Sequence, residues 1–319
     1  MHRYLQHGRI IFCIVLFVPA FAAAQMTVTQ QPATEVRGDF QVGPTRFVLE
    51  MSPGEERVVE VELTSREGAP RQYNVSVEDF AVTDDGTDNI QFFAHDNGPF
   101  PGRSWIQPSV SSLALQHGER AVIPVKISVP KNASAGDHYA VVLFERQVSA
   151  GEQAGSRVGA LCLITIRGDL IRDGQLQTFT GLRNVYWTLP AQFSIQYRNT
   201  GMVHLVPVGH IAIKNIFGMT VDDIAIQDWY VLRNSTRDRD MLWQPTFAFG
   251  RYTATLTLNS AGQKSEDVRT VSFWVMPTLP VLFVLLTVLS VAYILQAFWS
   301  RHALRGKHKH RKRTVRKSV

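Results

Sequence analysis

Runs of alternating apolar and polar residues recur roughly every 8–12 residues, turn-forming Gly, Pro and Asn lie between them, and helical periodicity is missing until one long uncharged stretch near the C-terminus. Together these predict an all-β protein: two tandem immunoglobulin-like β-sandwiches plus a C-terminal transmembrane helix. An up-and-down barrel is the lesser alternative.

The two ends set the topology. Arg3 and Arg9 precede the apolar run Ile10 to Val18, which leads into Pro19-Ala-Phe-Ala-Ala-Ala24, the small-residue exit of a cleavable signal peptide over 1–24. Cys13 sits inside the apolar run after bulky Phe12, an arrangement that argues against a lipoprotein. Residues 278–299 carry no Asp, Glu, Lys or Arg over 22 positions. As a helix they would extend about 33 Å, enough to cross a bilayer. Pro280 falls in a first turn, where no amide bond is lost, and Trp274 and Trp299 stand at the two interfaces. Residues 300–319 then hold nine Lys or Arg and no acid, so they form a basic cytoplasmic tail that can contact anionic lipid. A single-pass membrane protein results, N-terminus outside and C-terminus cytoplasmic. Two of its 33 basic residues lie in the signal peptide and nine in the tail, leaving 22 against 27 acidic residues, a net of −5 outside. The basic excess therefore belongs to the tail, and no nucleic-acid partner is expected.

Residues 25–40 are polar and aperiodic, a flexible leader. The first sandwich is expected over 41–172. It opens with Arg46 to Met51, the turn Ser52-Pro-Gly-Glu55, and a strand in which Val59, Val61 and Leu63 alternate with polar residues. Tyr73, Val75 and Val77 alternate likewise. Gly54 to Leu63 can be laid over Gly118 to Ile127, so that Val59, Val61 and Leu63 fall on Ile123, Val125 and Ile127: the same Gly-Glu turn feeding a half-buried strand twice. His138 to Phe144 and Arg157 to Ile166 are more continuously apolar and so central. The second, membrane-proximal sandwich is expected over 173–276, with clean alternation at Phe193 to Tyr197 and Gly250 to Leu258, and Val271 to Val275 as a last strand before the span. With the signal removed only Cys162 remains, so each domain must rely on an apolar core without an intrachain disulfide.

Several segments carry a resemblance. Ser52-Pro-Gly-Glu55, Trp105-Ile106, Gln116-His-Gly-Glu-Arg120, Val129-Pro-Lys-Asn-Ala-Ser-Ala-Gly-Asp-His-Tyr139 and Val158-Gly-Ala-Leu161 in the first domain are joined by Asn199-Thr-Gly-Met-Val-His204 and Gly250-Arg-Tyr-Thr-Ala-Thr-Leu256 in the second. With the signal, single span and basic tail, the chain resembles bacterial surface proteins of the WxL-interacting type over most of 41–319. The resemblance implies an outer domain that contacts peptidoglycan and a membrane-proximal one that holds a partner surface protein.

No His-Glu-x-x-His, Cys-x-x-Cys, Gly-x-Ser-x-Gly or phosphate-loop pattern occurs, and no enzymatic activity, metal or cofactor is expected. Ser128-Val-Pro-Lys131 has the spacing of a Ser-x-x-Lys nucleophile but ends a strand where that chemistry starts a helix. Asp84 to Asn89 reads as a hairpin turn. The remaining candidate ligand site is the turn-rich loop His95 to Arg103 with its aromatic neighbours, and its residues are His95, Phe100, Arg103 and Trp105. Binding is accordingly expected on first-domain loops and not on its sheets. The function expected is a non-enzymatic tether or scaffold for another surface protein or for cell-wall glycan. The alternatives are a stand-alone glycan-binding module and a chaperone-like domain that works by strand donation.

Overall fold

The computed structural model describes residues 25–32, 35–82, 90–148, 155–227, 229–259, 266–278, 282–283 and 285–299. The signal peptide expected over 1–24, the turn 84–89 and the basic tail 300–319 lie outside the described residues.

The first domain contains β1 (Thr27–Gln30), β2 (Phe40–Gly43), β3 (Arg46–Met51), β4 (Glu56–Ser65), β5 (Arg71–Val82), β6 (Ile90–Phe93), a 3-10 turn at Arg103–Trp105, β7 (Ile106–Pro108), β8 (Ser112–Leu115), β9 (Glu119–Ser128), β10 (Gly136–Arg146) and β11 (Arg157–Ile166). One sheet runs β2-β4-β9, with β1 and β7 sharing the far edge of β9, and the other runs β3-β11-β10-β5-β6. The chain thus changes sheet between β2, which pairs with β4, and β3, which lies parallel to β11. That strand order is the immunoglobulin-type sandwich.

Local chemistry accounts for the layout. The two strands that the sequence overlays are neighbours, since β4 and β9 pair antiparallel with Val59 opposite Val125 and Val61 opposite Ile123. The turns before them are built alike. Gly54 and Gly118 take φ of +81° and +76°, and Glu55 and Glu119 turn back to accept the amides of Ser52 and Gln116 at 2.9 and 2.7 Å. Val61, Leu63, Ile123 and Ile127 then face Tyr73, Phe144, Cys162 and Ile164 of the other sheet in one dry core.

Residues 25–40 differ from the expected flexible leader. Their N-terminal part supplies β1, because alternate residues of a polar segment suit an exposed sheet edge as well as a loop, and Arg66 clasps Asp39 through Nε and Nη2 at 2.7 and 2.6 Å.

The second domain repeats the plan with β12 (Gly174–Gly181), β13 (Val185–Tyr186), β14 (Ala191–Asn199), β15 (Val208–Asn215), β16 (Thr220–Ile226), β17 (Thr236–Trp243), β18 (Gly250–Asn259) and β19 (Asp267–Val275). Its sheets run β12-β14-β17 and β13-β19-β18-β15-β16, and β13 is again parallel to its neighbour. Trp243, Tyr252, Phe273 and Phe193 interlock at its centre, and Trp243 sends its indole N–H to Asp222 at 2.9 Å.

Beyond β19, residues 278, 282–283 and 285–299 are helical. Among the described residues no helix is long and apolar enough to cross a membrane, the expected span being interrupted by residues outside the description. The helical stretch 285–299 exposes Leu286, Leu289, Tyr293 and Phe298 alike, on every side. Thr287 and Ser290 return their hydroxyls to the carbonyls of Phe283 and Leu286, four residues back, so neither depends on water for a partner.

Candidate functional site

Two of the sequence segments singled out above meet where the domains join. Gly136 adopts φ +114° and starts β10, which brings Asp137, His138 and Tyr139 to the junction. Opposite them, Asn199 is fully buried and fully bonded: its amide donates to the carbonyls of Val203 and Val231 at 2.8 and 2.9 Å, and its oxygen accepts from the Gly201 amide at 2.8 Å. Gly201 is required there, because a Cβ would stand 2.7 Å from the Ile171 carbonyl oxygen. The loop so fixed presents Met202 and His204 to the first domain.

Asp137 is the centre of the junction. Its carboxylate accepts from Thr165 Oγ1 at 2.6 Å, Tyr139 Oη at 2.9 Å, the His204 amide at 2.5 Å and His204 Nδ1 at 2.7 Å. Burial alone raises its pKa, but the hydrogen bond and charge of His204, with Thr165 and the His204 amide, outweigh burial and hold the carboxyl below its ordinary value. Arg233 adds its amide to Tyr139 Oη at 2.9 Å and its guanidinium to the Asp137 carbonyl at 3.0 Å. Desolvation and the neighbouring carboxylate push the Tyr139 phenol well above its usual range, so it stays a neutral donor. These bonds, with Leu232 and Tyr230 packed on Phe80, Tyr139 and Leu163, fix the second domain against the outward side of the β10–β11 sheet.

From that junction an apolar trough runs along the same sheet face. Cavities of about 390 and 160 Å³ share Ile90 and Leu161 and so adjoin. The trough is floored by Val141, Leu143, Leu161 and Leu163, and walled by Val82, Ile90 and Phe92. Arg157, paired with Glu78, stands at the far end, and Arg46 stands at the junction end. The Arg46 guanidinium lies 3.7 Å over the Tyr230 ring and, among the described residues, has no carboxylate partner.

An open strand edge borders this trough. β3 covers β11 only from Leu161 onward, where the Leu161 amide reaches the Thr45 carbonyl at 3.0 Å. Residues 157–160 have no strand on that side among the described residues. The Ser156 carbonyl points back to β10, accepting from the Arg146 amide at 3.1 Å, so by alternation the backbone groups of Arg157 and Gly159 point outward. Gly159 also keeps the edge low: a Cβ there would stand 2.7 Å from Val141 Cγ2 and 2.9 Å from Leu143 Cδ2. Exposed N–H and C=O groups beside an apolar trough are what an added extended strand needs.

The residues that the sequence nominated lie elsewhere on this domain. The buried Asp79 carboxylate accepts the amides of Gly98, Gly102 and Arg103 at 3.2, 2.9 and 2.7 Å and folds the loop onto the sheet. Arg103 donates to the carbonyls of Ala94 and His95 at 2.5 and 3.5 Å, and the His95 side chain is exposed. Phe100 meets Tyr139 edge-on at 6.0 Å and lies under the Arg233 guanidinium at 4.0 Å. Trp105 packs on the first core, 4.3 Å from the His138 ring. The loop therefore gathers all four residues, but Phe100, Arg103 and Trp105 are engaged with protein. Cys162 lies in the core, where burial pushes its thiol up to about 12. Among the described residues no group of three or more His, Cys, Asp or Glu is placed to hold a metal.

No family model matches the chain, and no curated protein matches it. Among solved structures it is similar to the class 5 fimbriae chaperone CfaA (12% identity, 73% of this chain and 98% of that one, TM-score 0.37). It is also similar to the CsuC–CsuE chaperone–tip adhesion subunit complex of the archaic Csu pili of Acinetobacter baumannii (14%, 75% and 99%, 0.36). A third is the E. coli chaperone DraB (10%, 72% and 97%, 0.35).

Proposed function

We propose that the protein is a non-enzymatic, extracytoplasmic holder of another envelope protein, and that the first domain takes an extended apolar segment of this partner along the β11 edge. The observation that carries the reading is the juxtaposition of the uncovered backbone of Arg157 and Gly159, the apolar trough beside it, and the exposed cation of Arg46 at its end. Backbone pairing supplies affinity, alternate apolar side chains enter the trough, and Arg46 favours an anionic group of the ligand at the junction. This is the chaperone-like mode of action. A partner surface protein of the kind the WxL-interacting resemblance implies would be held by the same elements.

The helix of 285–299 carries no charge and exposes large apolar side chains on every side, which supports a membrane anchor over 278–299. A signal peptide at 1–24 and the basic tail at 300–319 then place both sandwiches outside, with the tail against anionic lipid on the cytoplasmic face.

The test uses the full chain in detergent and a synthetic peptide of alternating Val and Thr with a free carboxylate. Phe92 is 44% exposed and Ile90 42%, so Phe92→Asp and Ile90→Asp should leave the thermal midpoint within a few degrees. Each should weaken the peptide about 10-fold or more, the loss of one apolar contact being worth roughly 1.5–3 kcal/mol. Equal binding by native and variant chains would remove the trough as the site.

A further inference from the structure

We infer that the second domain makes its own contact with the lipid interface, through three charge-free loops that dip into the headgroup layer beside the anchor; this rests on residues 278–299 spanning the bilayer. Register places these loops at one end of the sandwich. Gly250 pairs with Val275 and Tyr252 with Asn215, so the turn 215–219 and the loop 244–250 lie beside the point where β19 ends. Tyr186 also pairs with Val275, and Ala191 with Trp243, which brings 187–190 to the same end.

That end is apolar to an unusual degree. Trp187 is 49% exposed, Ile216 68%, Phe217 82%, Met219 58%, Phe247 68% and Phe249 58%. None of the segments 187–190, 215–219 and 244–250 contains Asp, Glu, Lys or Arg, whereas the opposite end carries Arg172, Asp173, Arg233, Glu266 and Asp267. Six large apolar side chains converging on one exposed end mark a contact surface.

The occupant follows from where the chain goes next. The Met276 amide still bonds to the Tyr186 carbonyl at 2.8 Å, and Thr278 is already helical. At about 3.3–3.6 Å per residue, two residues separate the domain from the anchor by roughly 7 Å. A headgroup layer is itself roughly 5–8 Å deep on each side of the hydrocarbon. Loops at this end therefore lie within reach of the interface, and Trp and Phe without charges are the side chains that settle there. A seat of this kind would hold the first domain and its trough at a set height above the membrane.

Spin labels read the contact directly. Cys162 is buried and is the only thiol in residues 25–319, so single Cys variants label cleanly. Phe217→Cys and Phe247→Cys probe the loops, Leu289→Cys the anchor, and Asn259→Cys the opposite end of β18, each in the full chain in vesicles of phosphatidylethanolamine and phosphatidylglycerol. The expected result is that oxygen relaxes labels 217, 247 and 289 more than a water-soluble nickel chelate does, with the reverse at 259. Labels 217 and 247 in water while 289 is in lipid would overturn the loop contact and leave the anchor standing. Label 289 in water would overturn both.

Discussion

Asp137 is the residue on which the relation between the two domains turns, since it receives four hydrogen bonds and two of them come from His204 of the second domain. A buried carboxylate with that many donors leaves them all stranded if it is removed, so Asp137→Ala should cost about 3 kcal/mol or more in denaturant unfolding. Its folded-state pKa lies below the ordinary value of about 3.9, so its contribution is complete above pH ~4 and is lost as pH falls through the folded-state value. The stability gap between native chain and variant should therefore shrink below pH ~4. A gap that persists in acid would mean that the carboxylate charge contributes nothing. Little of this was legible beforehand. Gly136 to Tyr139 and Asn199 to His204 stand out as motifs in the sequence, but 60 or so residues separate them, and only the folded chain puts one against the other. Phe100 and Trp105 illustrate the opposite difficulty, for an aromatic in a turn-rich loop reads the same whether its ring meets a ligand or, as here, Tyr139 and His138.

Among the elements, the paired turns before β4 and β9 were the most legible. A Gly followed by Glu before an alternating strand specifies a left-handed position and its cap in consecutive residues. Gly54→Ala should cost about 1 kcal/mol, because φ of +81° strains an L-residue and the Cβ would sit 3.1 Å from Lys131 Cγ. Gly54→Asn should recover part of that loss, Asn being tolerant of this backbone region; equal midpoints for the Ala, Asn and native chains would refute the account of the turn. β10 and β11 were legible only in part. Their unbroken apolar runs correctly place them at the centre of a sheet, with Ala140, Val142 and Cys162 in the core. The same runs also make the other face apolar, and a sequence cannot say what covers it. Leu163 and Tyr139 lie beneath Leu232 of the second domain, whereas Leu161 and Leu143 line the trough. Binding was expected on loops because alternation reads as committing the sheets to the core, whereas the site proposed above lies on the sheet. Edge exposure at Arg157 and Gly159 depends on where β3 begins, a long-range fact with no local signature.

At the scale of the whole molecule, the sequence conveys the order of parts: a first sandwich, a second one against an apolar segment, and a basic end. The docking of the sandwiches adds what the order could not, because Tyr230, Leu232 and Arg237 of the second domain close one end of a trough belonging to the first. The docked pair then presents an open edge on one domain and an apolar end on the other, and the proposed role depends on that edge accepting a strand. Amide hydrogen exchange on the full chain, with and without the alternating Val/Thr peptide, examines this most directly. The prediction is that the amides of Arg157 and Gly159 exchange freely alone and slow at least 10-fold with saturating peptide, while those of the covered residues Leu163 and Thr165 are unchanged. Peptide that binds without protecting Arg157 and Gly159, or that fails to bind at all, would contradict strand addition at β11.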